Sequence, residues 1–257
     1  MLANRVAMGS GSKHDDKWNT PGAKDLIAGT MMEGFFGEVS ASELISGTDL
    51  ASMVGISQGT SQNSTAGWLK FAWQNKILFV AKKPIRNSIS WDAINTAKCV
   101  YGNSGDKQIV IDGLTYKVRL LRGADLKFNP KTPIKDQSGG GNGYNGAICY
   151  NSEWNRLMLP IHQEAISKNW AYPDNVESDI PVWAHNLGTG TQGRYTDQDL
   201  LTHRDHGSGS YSWCQEVAES SAYRVGRGIV GVSSSSSIAS SDTGSSRGWR
   251  PCLELVN

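Results

Sequence analysis

The end of the chain carries the pattern that most constrains the fold, because a serine-rich run lies there between two turns that contain glycine and arginine. The run covers residues 232–246, with residues 224–228 before it and residues 248–256 after it. Small hydroxyl side chains bury little apolar area and form adaptable hydrogen bonds, as recognition loops do. The apolar residues at 252–256 indicate a terminal strand inside a sheet. The sequence therefore predicts a polar surface loop between two rigid anchors.

Charge and composition exclude several classes of function. The 257 residues carry a formal charge of +1 with scattered basic residues, so the chain lacks the basic stripe of a nucleic-acid-binding protein. No run approaches the ~18 apolar residues of a membrane span, and residues 1–10 lack the apolar core of a signal peptide. We therefore expect a protein made and assembled in a cytoplasm, with no nucleic acid partner and no membrane insertion. Nine tryptophans and 29 glycines indicate large anchors joined by many turns.

Five short segments upstream follow one another in a characteristic order, at residues 68–71, 78–84, 90–95, 116–121 and 212–216. With the two terminal turns they resemble phage virion proteins whose C-terminal part is a C-type-lectin-like domain, in the branch shared by formylglycine-generating-enzyme-like proteins and phage receptor-binding proteins. The resemblance implies an α+β fold: a loop-rich domain with short antiparallel strands and two helices, preceded by a small N-terminal attachment segment. It also implies localisation in the virion, without fixing a position in the particle.

We place a domain boundary at residue 62, in the linker-like stretch 59–65. Residues 1–62 would form the virion-attachment part, with an arm and a small unit that contains a helix at 48–55. Residues 63–257 would form the lectin-like domain. The arm, residues 1–30, either docks on a neighbouring subunit or packs on its own domain.

Two hairpins and two helices are predicted in the lectin-like domain. The hairpins cover 69–81 and 108–121, and the second turns at Asp112 and Gly113. The helices cover 90–98 and 151–159. Residues 172–210 are long and irregular, and ordered loops of that length are usually functional.

The candidate ligand-binding residues lie in the segments 172–210 and 232–247. Aromatic rings there can stack on a sugar or a protein, and serine hydroxyls can supply hydrogen bonds. These residues are Trp183, Tyr195, Tyr211, Ser233, Ser234, Ser235, Ser236 and Ser237. The protein would then be a tail-fibre or tail-tip component that binds a host cell-surface glycan or protein. For the serine run, a plain solvated surface is the alternative.

A second interpretation makes the protein a capsid decoration, collar or baseplate component that uses the fold as a rigid connector, without receptor binding. Both interpretations imply other virion proteins as partners and a homo-oligomer. Symmetry would separate them, since a decoration follows the capsid and a fibre tip is usually a trimer.

Two histidines are the leading candidates for metal ligands. His203 and His206 stand three residues apart beside Asp205, with His185 upstream, but glycines follow at once and would end a helix there. We predict no metal site and no cofactor. An enzyme is the third hypothesis and would need a pocket that gathers these histidines or two carboxylates; we predict no catalytic residue.

The four cysteines, Cys99, Cys149, Cys214 and Cys252, are far apart. Their spacing disfavours zinc and favours buried thiols that pack as small apolar groups. Formylglycine-generating enzymes carry a reactive cysteine pair near the end of the fold, but the sequences around Cys214 and Cys252 do not match that site.

Six large side chains are predicted to be structural: Trp91, Trp154, Trp213, Arg227, Trp249 and Arg250. The tryptophans sit in regular elements with apolar neighbours and should anchor the core. Each arginine stands within two residues of a glycine, where its guanidinium can satisfy loop carbonyls or pair with a buried carboxylate such as Glu216 or Glu254. We expect Arg250→Ala to lower stability more than Arg122→Ala.

Overall fold

Two β-sheets form the framework of the described chain, which in this computed structural model comprises residues 19–134, 149, 151–162 and 195–256. The strands are β1 (Ala28–Thr30), β2 (Glu33–Val39), β3 (Thr60–Ser61), β4 (Trp68–Trp73), β5 (Lys76–Ala81), β6 (Arg86–Asn87), β7 (Gln108–Ile111), β8 (Leu114–Arg119), β9 (Tyr211–Val217), β10 (Tyr223–Arg227), β11 (Ser235–Ala239), β12 (Arg247–Trp249) and β13 (Cys252–Leu255). One sheet has the order β1-β2-β4-β5-β13-β8-β7, and the other has the order β11-β10-β9-β12-β6-β3. Neighbouring strands are antiparallel except β12 and β9, which pair in parallel.

Each of the four α-helices in the described ranges begins at a capping hydroxyl. They are α1 (Gly47–Val54), α2 (Trp91–Thr96), α3 (Glu153–Met158) and α4 (Asp197–Leu200). The serine or threonine before each helix accepts a hydrogen bond from the amide three residues on, which satisfies one donor of the first turn. The predicted helices at 48–55, 90–98 and 151–159 are confirmed as α1, α2 and α3; the sequence did not predict α4. The α+β class is confirmed.

Both predicted hairpins are confirmed. Residues with positive φ angles form the turn of each one. Gln74 and Asn75, between β4 and β5, have φ angles of 50° and 62°, and Asp112 and Gly113, between β7 and β8, have 48° and 81°. Two successive residues with positive φ match the twist of the flanking strands. The terminal strand is also confirmed, because β13 lies between β5 and β8 near the middle of its sheet.

The seven-stranded sheet is covered on both faces. From β4, Leu69 and Phe71 join one core cluster that includes Trp154 of α3. Trp68 and Ala72, on the opposite face, join a second cluster that includes residues of α1 and α2. Side chains alternate between the faces of a strand, so burial on both faces calls for a nearly continuous apolar run. This arrangement explains why all six residues of β4 are buried.

The structure runs across the position of the predicted boundary at residue 62. β2, from before it, pairs with β4, from after it, and β3 pairs in the same way with β6. α1 contributes Leu50 and Val54 to the second core cluster. In the described residues, the chain on either side of position 62 therefore shares both sheets and one core.

Residues 19–30, the described part of the arm, pack on their own domain. The buried ammonium of Lys70 donates hydrogen bonds to the carbonyls of Pro21 (2.9 Å) and Ala23 (2.6 Å). Gly22, between these carbonyls, has a φ of +75°, and a Cβ at this position would collide with Val39. Of the two alternatives for the arm, docking on a neighbouring subunit or packing on its own domain, residues 19–30 show the second. Residues 1–18 lie outside the described ranges.

The serine run is not the continuous loop that the sequence predicted. Its middle forms β11, which pairs with β10 from Tyr223↔Ala239 to Arg227↔Ser235. Ile238 is buried in the second core cluster, so one apolar side chain fixes a strand of otherwise small residues. Because β11 ends the order of its sheet, it is an edge strand that carries serines.

Candidate ligand-binding surface

Arg227 fixes the start of the serine run from inside the protein. Its wholly buried guanidinium donates to the carbonyls of Gly123 (2.8 Å), Ser233 (3.2 Å) and Ser234 (3.0 Å). It also donates to Oδ1 of Asn155 in α3, at 2.6 Å. One side chain therefore ties the turn before β11 to the core.

Arg250 plays the same part after the serine run. Its buried guanidinium donates to the carbonyls of Ala81 (3.1 Å), Lys82 (2.6 Å) and Leu200, and to Oγ of Ser212 (2.9 Å). Burial lowers the pKa of Arg250 to about 9. The sequence left two alternatives for each arginine, hydrogen bonds to loop carbonyls or a pair with a buried carboxylate. Both arginines bond to loop carbonyls.

The six predicted anchors are all buried, and Trp154 joins the two arginines. The guanidinium carbons of Arg227 and Arg250 lie 5.5 and 5.6 Å from the centre of a Trp154 ring. Trp91, Trp213 and Trp249 are also buried, so the structural role predicted for these six residues agrees with their positions. The anchors on either side of the serine run thus share one rigid support.

The two carboxylates suggested as partners pair with other arginines. Oε1 of Glu216 lies 2.6 Å from Nε of Arg122, and Oε2 of Glu254 lies 2.8 Å from Nε of Arg119. Burial raises the pKa of Glu216 despite its partner. Burial also acts upward on the pKa of Glu254, but Arg119 and Lys76 outweigh it and the pKa falls.

The two predicted stacking tyrosines that lie in the described residues are covered by the protein. Tyr195 is 7% exposed; its ring packs edge-on against Phe35, at 6.4 Å, and lies under the ammonium of Lys82, at 5.0 Å. Tyr211 is 8% exposed and lies under the guanidinium of Arg247, at 4.7 Å. Neither ring offers a face to a ligand, which corrects the expectation that they stack on one. Trp183 lies outside the described residues.

The five predicted serines divide into two groups. Ser233 and Ser234 are buried, and Ser234 Oγ donates to the carbonyl of Gly231 at 2.9 Å, so they stabilise the turn before β11. Ser235, Ser236 and Ser237 are half-buried in β11. Ser237 Oγ donates to a carboxylate oxygen of Glu219. The predicted hydroxyl surface therefore reduces to the three serines of β11.

A row of four side chains beside β11 was not predicted as a site. Arg224, which pairs with Ile238 across β10 and β11, places its guanidinium carbon 4.0 Å from the centre of a Trp91 ring. Tyr101 packs edge-on against Trp91 at 6.1 Å, and the Lys131 ammonium lies 4.8 Å from the Tyr101 ring centre. We call Lys131, Tyr101, Trp91 and Arg224 the cation–aromatic row. The four positions come from distant parts of the chain, so no spacing in the sequence signals them.

The residues considered for catalysis or metal binding are the four cysteines and a group of histidines. All four cysteines are buried, and burial raises the pKa of the Cys99, Cys214 and Cys252 thiols, that of Cys99 to about 12. The ring centres of His203 and His206 lie 5.2 Å apart. No group of three or more metal-ligating side chains occurs within the described residues, and His185 lies outside them.

Comparisons with protein-family models, with curated proteins and with solved structures gave no match. None of the helices in the described ranges is long and apolar enough to cross a membrane.

Proposed function

We propose that this chain is a structural protein of a phage virion, with a C-type-lectin-like fold that displays a host-binding surface at a tail fibre or tail tip. The proposal starts from the sequence resemblance. The structural observation that supports it is the anchoring of the serine-bearing edge strand. Arg227 before β11 and Arg250 after it are both buried and donate hydrogen bonds to backbone carbonyl groups. Binding surfaces on rigid supports lose less conformational entropy when a ligand binds.

The chemistry of the buried groups supports binding rather than catalysis. A thiol reacts as its thiolate, and burial opposes formation of that thiolate at Cys214 and Cys252. Glu153 is held by both terminal nitrogens of Arg119, at 2.8 and 2.6 Å. Charges committed to such pairs stabilise the fold and are poorly placed to exchange protons with a substrate.

An apolar edge supports assembly with other virion proteins as a homo-oligomer. Ile27 and Met32, which flank β1, are 47% and 55% exposed. β1 is the end strand of the seven-stranded sheet, so its outer edge can take part in a contact between subunits.

Binding of the purified, fluorescently labelled chain to a panel of bacterial strains tests the proposal. The test variant carries Ser235→Glu and Ser236→Glu, which place charge on β11. The control variant carries the same change at the exposed Ser52 and Ser57. We expect saturable binding to at least one strain by the wild type and the control, and its loss in the test variant. Absence of binding by a folded wild type on every strain would contradict the receptor role and favour a connector.

A further inference from the structure

Arg224 differs from four other arginines in the bonds that its guanidinium forms. Arg119, Arg122, Arg156 and Arg247 each form an ion pair with a carboxylate. Arg224 instead donates from Nη1 to the carbonyls of Ser221 (2.7 Å) and Tyr223 (2.9 Å), and its Nε has no acceptor within the described residues. Its guanidinium is therefore fixed in position and half-buried, and because Nε is buried, only the terminal nitrogens can meet a ligand.

The indole of Trp91 is a rigid surface on which this guanidinium stacks. Trp91 is buried, and its Nε1 donates to the carbonyl of Cys214 at 2.9 Å, so the ring cannot turn away. A guanidinium stacked at 4.0 Å gains from the ring electrons. Burial lowers the pKa of Arg224, while Tyr101 and Asp92 oppose that shift; the group stays charged in the neutral range.

The opposite end of the row carries a second cation over an aromatic face. Tyr101 is half-buried and forms a T-shaped pair with Trp91, and the exposed Lys131 places its ammonium 4.8 Å from the centre of the Tyr101 ring. Burial raises the pKa of Tyr101, and the nearby Arg224 acts in the other direction. Two cations thus flank two aromatic rings along one surface. The acidic side chains whose charges act on Tyr101 and Arg224 are Glu216, Asp106 and Asp92.

Hydroxyl groups border the row on the side of β11. Ser240 follows β11 directly; its Oγ donates to Asp92 Oδ2 at 3.1 Å, and its carbonyl accepts from the Asp92 amide at 3.2 Å. Asp92 belongs to the first turn of α2, next to Trp91. The end of β11 therefore lies directly against the start of α2, beside Trp91.

We infer that the cation–aromatic row binds a saccharide that carries carboxylates, such as a uronic-acid polymer of a bacterial surface. A carboxylate would accept charge-assisted hydrogen bonds from Arg224, and a sugar ring would pack against Tyr101. Lys131 would meet a second acidic group further along the polymer, and the serines of β11 would meet neutral hydroxyls. This inference rests on the proposed host-binding function and names the class of ligand.

Titration of the full chain with uronic-acid oligomers of several stereochemistries, followed by calorimetry, tests the inference. The matched neutral probes are the same oligomers after reduction of their carboxyl groups. We expect binding of at least one acidic oligomer at least about tenfold tighter than its reduced form, as a charge-assisted hydrogen bond would give, and weaker at higher salt. Equal affinities for the acidic and reduced forms, or binding to neither, would overturn the inference. Preference for a glycerol phosphate polymer over every uronic acid would overturn the carboxylate assignment.

Arg224→Met and Lys131→Met test the residues, with Arg204→Met as the control for loss of a positive charge at an exposed position. We expect about a tenfold or greater loss of affinity in Arg224→Met, a smaller loss in Lys131→Met and none in Arg204→Met. Lys131 is exposed, so its variant remains informative if Arg224→Met fails to fold. Equal affinities among the variants would show that the cation–aromatic row does not bind the oligomer. Binding to cells that persists without uronic-acid binding would reject this ligand and leave the host-binding function standing.

Discussion

Three buried cationic side chains in the described residues are stabilised by hydrogen bonds to backbone carbonyls. Arg227, Arg250 and Lys70 each donate to at least two carbonyl groups. Carbonyl dipoles stabilise a cation without adding a second charge that must also be desolvated. Each of the three joins chain segments that are remote in sequence, so these side chains act as cross-links.

The Arg250 cross-link yields a stability prediction. Arg250→Ala leaves three buried carbonyls and the Ser212 hydroxyl without this donor, and we expect the free energy of unfolding to fall by about 3 kcal/mol or more. Arg204→Ala, at an exposed position, should change it by less than about 0.5 kcal/mol. Urea unfolding followed by tryptophan fluorescence measures both, and equal midpoints would refute the role assigned to Arg250.

Arg122 is a poorer comparison than the sequence suggested. Its partner Glu216 has a wholly buried side chain, so Arg122→Ala would leave a buried carboxylate without its ion-pair partner, bonded to backbone amides such as that of Gly123 (2.8 Å). Removal of one partner from such a pair costs several kcal/mol, typically about 3 to 5. The structure therefore predicts large losses for both Arg122→Ala and Arg250→Ala.

Lys70 should make stability depend on pH. Burial, with a contribution from Lys24, lowers its pKa to about 8, whereas the unfolded chain has a lysine pKa near about 10.4. Between these values the unfolded state binds more protons, so stability rises with pH. We expect the wild type to gain about 2 kcal/mol over Lys70→Met between pH 7 and pH 10.

The comparison of wild type with Lys70→Met removes the contributions of the other titrating groups to the free energy of unfolding, because both proteins contain those groups. Lys127→Met, at an exposed ammonium, is the control and should show no such trend. Urea unfolding at four pH values measures the difference. If the difference in free energy of unfolding between wild type and Lys70→Met stays constant with pH, burial does not lower the pKa of Lys70.

At the scale of elements, local chemistry decided which features the sequence could predict. The caps of α1, α2 and α3 and the turn at Asp112 and Gly113 depend on residues within four positions of one another. β11 could not be predicted in this way, because serine has little preference for strands. What makes it a strand is its register with β10 and the burial of Ile238.

Ile238 therefore controls the edge strand. Ile238→Ser removes the buried apolar group of β11, and we expect a loss of about 2 kcal/mol in stability. Faster hydrogen exchange should be confined to residues 234–240, while Ser236→Thr, on the same strand, should leave exchange unchanged. Unaltered exchange in Ile238→Ser would mean that pairing with β10 alone holds β11.

The candidate site shows the same division between local and distant contacts. The sequence predicted Arg227 and Arg250 as structural anchors from a glycine within two positions, which is a local signal, and both side chains are buried. It wrongly expected Tyr195 and Tyr211 to offer stacking faces, because their covers, Lys82 and Arg247, come from other segments. The row formed by Tyr101, Trp91 and Arg224 arises from tertiary packing alone.

At the scale of the molecule, the burial of the thiols bears on the hypothesis of a cysteine-dependent enzyme. All four cysteines are buried. We therefore expect the native chain to react slowly with a thiol reagent such as dithionitrobenzoate, and all four thiols to react on unfolding. Rapid, stoichiometric labelling of Cys214 or Cys252 in the native protein would revive the enzyme hypothesis.

Competition for phage adsorption tests the host-binding role most directly. Cells would be incubated with the purified chain and then challenged with phage particles whose genome encodes it. The account predicts that the wild-type chain lowers the adsorption rate in a dose-dependent way, and that the Ser235→Glu, Ser236→Glu variant does not. Unchanged adsorption in the presence of a folded wild-type chain at high concentration would contradict it.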